Sequence, residues 1–84
     1  MSGVRDAVEV LARALTDKPD EVRVTESQQK ATTLVELFVA PGDLGKVIGK
    51  QGRTAAALRT LASTAGEKEG KTVTLEIRDT PFKR

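Results

Sequence analysis

The chain has 84 residues, which is the length of one domain. It contains no cysteine and no histidine, and this excludes disulfide bonds, thiolate zinc sites and imidazole general bases. The net charge is +2, but residues 44–66 carry four cations and no acid, whereas the rest of the chain carries ten cations and twelve acids. Positive charge is therefore concentrated in one segment, and that concentration needs a functional explanation.

The sequence gives no sign of a membrane segment or a secretory signal. No apolar run approaches the about 20 residues needed to cross a bilayer. Asp6 and Glu9 fall where a signal peptide would be uninterrupted and apolar. We therefore expect a cytoplasmic protein with no membrane partner.

The first apolar residues recur at helical spacings of four, three and four: Val4, Val8, Leu11 and Leu15. This spacing predicts an amphipathic helix over about residues 4–15, with these side chains on its apolar face. Pro19 and the polar residues around it predict a short turn after the helix.

Two strands are predicted next. Val22 and Val24 alternate with polar residues in a short, half-buried strand, and the polar residues 26–31 predict a hairpin loop. Residues 32–40 are rich in β-branched and apolar side chains and form the most strand-like stretch of the chain.

Two helices and a third strand follow a Pro-Gly pair. Asp43 is a candidate N-cap for a helix of one or two turns. A longer helix is predicted over about residues 53–64, with Gly66 as its left-handed stop. Residues 72–78 alternate apolar and polar side chains and predict the last strand.

The predicted element order is α-β-β-α-α-β in a single domain over residues 1–84, with a core over about 4–78 and a loose tail over 79–84. The first two strands can pair as an antiparallel hairpin. Because two helices separate the second strand from the last, those two strands can pair in parallel. Three strands with one apolar face each and three amphipathic helices predict a two-layer α+β sandwich with a three-stranded mixed sheet.

The segment with the clearest chemistry joins the two later helices. Gly49 and Gly52 bracket Lys50 and Gln51, and glycines let the backbone turn sharply and be approached closely. The next helix begins there with unpaired amide groups and the positive end of its dipole, and both favour phosphate. An apolar groove beside Ile48 could receive bases, which are accessible in single strands rather than in duplexes.

The sequence Val-Ile-Gly-Lys-Gln-Gly at positions 47–52 resembles the V-I-G-x-x-G signature of the KH domain, whose loop clamps about four backbone nucleotides. The helix–strand pair before the core matches the type II arrangement of this family. The resemblance covers about residues 4–78 and is to small stand-alone bacterial KH proteins.

The resemblance implies a protein that binds single-stranded RNA, as an RNA chaperone or post-transcriptional regulator linked to cell shape and division. It also implies assembly, either into a homodimer or into a heterodimer with a larger KH protein of the KhpB (Jag) type.

Candidate RNA-binding residues lie in and around the loop: Gly45, Lys46, Ile48, Gly49, Lys50, Gln51, Gly52 and Arg53. Gly49 and Gly52 are expected to shape the backbone, although an ordinary turn between helices also favours glycine. Lys50 and Gln51 are expected to contact phosphate or ribose, and plain solvated polarity is the alternative.

Two other residues leave alternatives open. Arg59 either flanks the RNA path or belongs to a solvated face of its helix. Gly45 either admits RNA close to the short helix or allows tight packing against the sheet.

Leu34, Phe38 and Leu61 are candidate residues of a partner interface. Leu34 and Phe38 share one face of their strand, which is either the open face of the sheet or part of the groove. Leu61 lies at the margin of an apolar helix stripe, and partial burial in a small domain is the alternative. A protein–protein adaptor that uses its fold mainly for assembly is therefore an alternative function.

An enzyme is not expected. Without histidine, cysteine or tyrosine the available acids and bases are carboxylates and lysines, and Asp43 is the one acid near the loop. The nucleotide-binding pattern G-x-x-x-x-G-K-[ST] does not occur either. We therefore predict no catalytic residue, no metal and no cofactor.

Overall fold

The computed structural model describes residues 3–80 and confirms the predicted order of elements. Three α-helices are present in this part of the chain: α1 at Gly3–Leu15, α2 at Leu44–Ile48 and α3 at Arg53–Lys68. Three strands form one sheet in the order β1-β2-β3: β1 at Arg23–Gln29, β2 at Thr32–Val39 and β3 at Val73–Asp79. β1 pairs with β2 antiparallel and β2 pairs with β3 parallel, so the mixed sheet is confirmed.

The core lies between the sheet and the helices. Along β2 the side chains alternate between buried and half-buried, and Val35, Leu37 and Val39 are all buried on the helix side. The helices contribute small and branched side chains to the same core: Val4, Val8, Ala12, Val47, Leu58 and Ala62. Because α2 has only five residues, this packing rather than helix propensity holds it in place.

The bounds of α1 agree with the prediction to within one residue, but its buried face differs. Val4, Val8 and Ala12 are buried, whereas Leu11 and Leu15 are 40% and 38% exposed. The buried stripe steps by four residues throughout and ends at the small side chain of Ala12. Leu11 and Leu15 lie beside this stripe rather than on it.

β1 is longer than predicted, and the hairpin loop is correspondingly shorter. The strand continues to Gln29, so that only Lys30 and Ala31 form the turn. Lys30 adopts a positive φ of 41° in this turn. β1 lies at an edge of the sheet and one of its faces meets solvent, so polar residues there are compatible with a strand.

α3 continues past Gly66, and the predicted stop there is wrong. Gly66 is buried, and a Cβ atom at this position would collide with Cγ2 of Val73 and lie 3.2 Å from the carbonyl oxygen of Lys71. The glycine therefore allows close packing of the helix on β3. The left-handed residue after the helix is instead Gly70, with a φ of 72°.

The C-terminal end of β3 also differs from the prediction. The strand includes Asp79, and the amide of Thr80 donates a hydrogen bond to the carbonyl of Val39 at 2.8 Å. These two positions of the predicted tail are thus held against the sheet. Positions 81–84 lie outside the described residues.

Lys71, in the segment between α3 and β3, forms ion pairs with two glutamates. Its Nζ lies 3.2 Å from Oε2 of Glu26 and 3.3 Å from Oε1 of Glu69. The hydrogen bond to Glu26, and then that to Glu69, raises the pKa of Lys71 above its ordinary value of 10.5. The contribution of these two ion pairs to stability is therefore complete at pH values below 10.5. It is lost as the pH rises through the raised pKa of Lys71.

Asp43 is buried, with 3% of its surface exposed, and it forms no side-chain cap on α2. Instead its carboxylate accepts hydrogen bonds from the backbone amides of Asp17 at 3.1 Å and Lys18 at 3.0 Å. The cap prediction is therefore wrong. The carboxylate ties the turn after α1 to the start of α2, which are far apart in sequence.

Replacing Asp43→Ala should lower the free energy of unfolding by about 2 kcal/mol, because the buried charged acceptor of two hydrogen bonds is removed. Urea denaturation measures this change. Asp20→Ala is the matched control, since it removes the same charge from an exposed position and should cost less than about 0.5 kcal/mol. Equal costs for the two substitutions would contradict the role assigned to Asp43.

Candidate functional site

The loop between α2 and α3 is closed by two short backbone hydrogen bonds. The amide of Gly49 donates to the carbonyl of Gly45 at 2.8 Å, which ends α2, and the amide of Gly52 donates to the carbonyl of Gly49 at 3.1 Å. Gln51 and Gly52 are consecutive left-handed residues, with φ of 57° and 73°. The chain thus reverses within four residues and enters α3 directly.

The two glycines of the loop are required for different reasons. Gly49 has φ 79° and ψ 170°, a conformation open essentially to glycine alone. A Cβ there would also lie 2.6 Å from Cβ and 2.9 Å from the backbone nitrogen of Thr54. Gly52 is left-handed, but a Cβ there would meet nothing within 4 Å. Sequence reasoning assigned no role in the site to Thr54, although it directly follows the candidate residue Arg53.

The outer part of the loop consists of exposed polar groups. Lys50 and Gln51 are exposed, and so is Arg53 at the first residue of α3. No side chain caps the N-terminus of this 16-residue helix. The amide of Arg53 donates to the carbonyl of Lys50 within the loop. The amides that follow it in the first turn lack partners within the helix and lie close to the cationic residues Lys50 and Arg53.

Lys46 is only partly available to the loop. It is exposed on α2, and its Nζ lies 3.5 Å from Oδ2 of Asp17 in the turn after α1. Both side chains are well exposed, so this ion pair is weak and can exchange for another anion.

Arg59 forms its hydrogen bond with β3 rather than extending toward the loop. Its Nε donates a hydrogen bond at 3.3 Å to the carbonyl of Leu75 on β3. It also lies about 9 Å along the helix axis from Arg53. The structure therefore brings Lys50 and Arg53 together at the loop and places Arg59 at the junction of α3 and β3.

The short helix α2 presents a mixed surface next to the loop. Val47 is buried in the core, Ile48 is half-buried, and Gly45 is exposed. A Cβ at Gly45 would meet nothing within 4 Å, so packing against the sheet does not explain this glycine.

The three candidate interface residues occupy two different surfaces. Leu34 and Phe38 are half-buried on the open face of the sheet, opposite the helices. Leu61 is half-buried on α3, next to the buried Leu58 and Ala62.

Residues 3–80 contain neither a membrane-spanning helix nor a cluster of metal ligands. None of the helices there has the length and apolar character needed to cross a membrane. No group of three or more metal-ligating side chains is close enough together in this part of the chain to hold a metal ion.

Comparison with known proteins places the chain in a family. The family model described as KhpA/KhpB, KH domain matches residues 5–77. The chain belongs to this family. The RNA-binding protein KhpA of Aquifex aeolicus is 54% identical over 77 residues, which are 92% of this chain and 98% of that protein. The protein of the same name from Clostridium perfringens is 47% identical over 74 residues, or 88% of this chain and 99% of that protein.

A solved structure shares the fold at lower sequence identity. It is described as the crystal structure of Era in complex with MgGDPNP and nucleotides 1506–1542 of 16S ribosomal RNA. The TM-score is 0.63 at 22% identity, and the match covers 93% of this chain and 30% of that chain. At this identity the similarity shows a common α+β architecture.

Gly49→Ala should destabilise the protein more than Gly52→Ala. The second substitution adds left-handed strain of about 1–2 kcal/mol in open space. The first adds strain of about 3 kcal/mol or more, because the backbone conformation excludes alanine and Thr54 occupies the space. Chemical denaturation of both variants gives the comparison. A cost for Gly49→Ala no greater than that for Gly52→Ala would contradict the loop geometry.

Proposed function

We propose that this chain binds single-stranded RNA and that the loop at 49–52 holds the phosphate backbone. The observation that carries the proposal is the placement of exposed Lys50 and Gln51 on a turn that leads straight into the first turn of α3. The names of the KhpA relatives, which describe RNA-binding proteins, support the same conclusion.

The loop geometry suits a phosphate in three ways. The glycines at 49 and 52 carry no side chain, so an RNA strand can lie close to the backbone. The amides at the start of α3 can donate to phosphate oxygens, and the dipole of the helix favours negative charge there. Lys50 and Arg53 add mobile positive charge, which Lys46 can reinforce by leaving its exposed partner Asp17.

Bases of the bound strand would lie beside α2. Ile48 is half-buried there and offers apolar surface, and Gly45 leaves room for close approach. Stacking and base-edge contacts of this kind need unpaired bases, which favours single-stranded RNA over a duplex. The role that accompanies this proposal is that of a non-enzymatic cytoplasmic RNA chaperone or post-transcriptional regulator linked to cell shape and division, and it is supported by the family resemblance.

An adaptor role is the second candidate, and one observation favours it. Val10, Leu11 and Leu15 are exposed apolar side chains on α1, with Val10 66% exposed. Exposed apolar side chains of this size suit assembly, either as a homodimer or with a KhpB (Jag)-like KH protein. Leu61 on α3 stays a predicted interface residue. An adaptor would lose its function when these apolar surfaces change and would tolerate a charge reversal in the loop.

The double substitution Lys50→Asp and Gln51→Asp should weaken binding of an unstructured RNA at least tenfold at low salt, because two carboxylates replace groups that face phosphate. The slope of log affinity against log salt should also become shallower, by about 0.7 for each phosphate that the loop no longer neutralises. Fluorescence anisotropy over a salt series measures both quantities.

The control places the same charge change elsewhere on the surface. Gln29→Asp with Lys30→Asp alters the same residue types at the tip of the hairpin, where both are exposed. This variant should bind RNA nearly as well as the unaltered chain. Equal binding by both double variants would contradict the role of the loop.

Gly45→Ala separates stability from binding. The added methyl group meets open space in a helix, so the free energy of unfolding should stay the same or rise by up to about 1 kcal/mol. RNA affinity should nevertheless fall severalfold, because the methyl group stands where the strand approaches α2. Thermal melting and an RNA titration of the same sample test the pair of outcomes, and unchanged affinity would remove Gly45 from the interface.

A further inference from the structure

The open face of the sheet carries an arrangement that the loop does not explain. All three helices pack on the face that buries Val24, Val35 and Leu75, so the other face is free of helices. The side chains on that free face come from alternate positions of the strands: Arg23, Thr25 and Ser27 of β1, Leu34, Glu36 and Phe38 of β2, and Thr74, Glu76 and Arg78 of β3.

One row across this face combines an aromatic ring with two cations. Phe38 pairs with Arg23 on one side and with Arg78 on the other. Phe38 is the one aromatic residue among positions 3–80, and its ring is half-buried. Neighbouring strands lie about 4.8 Å apart, so Arg23 and Arg78 flank Phe38 at this spacing along the sheet.

The two arginines are held in different ways. Nη1 of Arg23 donates to the carbonyls of Asp20 at 3.0 Å and Val22 at 3.1 Å, which fixes the guanidinium at the edge of the sheet. Nε of Arg78 lies 3.3 Å from Oε2 of Glu36, and the side chain of Arg78 is 52% exposed. Glu36 is 27% exposed, so the pair is partly open to solvent, and Arg78 can leave it to bind a phosphate.

We propose that this row is a second contact for single-stranded RNA, in which one base stacks on Phe38 and the adjoining phosphates bind Arg23 and Arg78. The proposal rests on RNA binding as the function and adds a site on the opposite face of the sheet from the helices. Aromatic rings accept any base by stacking, and guanidinium groups bind phosphate through paired donors.

The next apolar row on the same face shows why RNA is favoured over a protein partner here. Leu34 pairs with Ser27 and Thr74, so this row has neither an aromatic ring nor a cation. A purely apolar protein contact would use Leu34 as readily as Phe38. Arginines on both neighbouring strands flank Phe38, whereas none flanks Leu34. An aromatic ring between two arginines matches the chemistry of a nucleotide.

The position of the row makes RNA length the discriminating variable. A loop of this type clamps about four nucleotides. RNA of that length cannot occupy the loop and the opposite face of the sheet together, whereas a strand of about 20 nucleotides exceeds the span of one single-strand site and can reach both.

The test compares oligouridylates of about 5 and about 20 nucleotides. Phe38→Leu keeps the apolar volume but removes the ring, and it should weaken binding of the long oligomer about tenfold while leaving the short one unchanged. Leu34→Ala is the matched control on the same strand and face, and it should change neither affinity. An equal decrease for both lengths, or no decrease for the long one, would overturn the proposal.

Glu36→Gln provides a second variant that does not alter the apolar surface. It frees Arg78 and removes a negative charge beside the row, so affinity for the long oligomer should rise severalfold, with no change for the short one. No rise for the long oligomer would count against the arginine contact.

The outcomes also separate this site from the loop. The Lys50→Asp and Gln51→Asp variant should weaken both lengths. If it weakens neither while Phe38→Leu still weakens the long oligomer, then the loop proposal fails and the sheet proposal stands. If Phe38→Leu instead changes the mass measured by light scattering without changing RNA affinity, then the face is a protein interface and the sheet proposal fails.

Discussion

The buried carboxylate of Asp43 determines where the loop of this protein lies. A helix of five residues has no stability of its own, so α2 must be positioned by its surroundings. Asp43 fixes its start through the amides of Asp17 and Lys18, and Val47 anchors its middle in the core. Because a buried charge without partners is costly, these bonds act as a strict constraint on the backbone. The loop begins at Gly49, directly after the last residue of α2, so the contacts that position α2 also position the loop.

The same arrangement separates acids from cations around the loop. The chain is nearly neutral overall, yet no acid lies between 44 and 66. The nearest carboxylate in the sequence, Asp43, is buried and directed at the turn after α1. Lys50 and Arg53 thus act on their surroundings without an acidic neighbour in their own segment. A local positive field arises in this way without a strongly basic composition.

The regular parts of the fold were predictable because they depend on local patterns. Alternation in β2, the order of elements and the position of the loop can all be read from spacing within a few residues. Three features depend on distant contacts instead. Asp43 bonds to residues 25 and 26 positions away, Gly66 lies within α3 where Val73 leaves no room for a side chain, and Ala12 is buried while Leu11 and Leu15 stay exposed. Local signals such as a glycine stop cannot report such contacts.

The left-handed conformations at Gln51 and Gly52 bear on the speed of any encounter with a polyanion. The turn already has its bent shape before a ligand arrives, since φ values and two backbone hydrogen bonds define it in the free chain. Little conformational entropy is then lost on association, and no slow rearrangement of the backbone precedes it. A polyanion that binds this loop as proposed would be captured at a rate limited by diffusion and electrostatic attraction, and its association rate constant would fall as ionic strength rises.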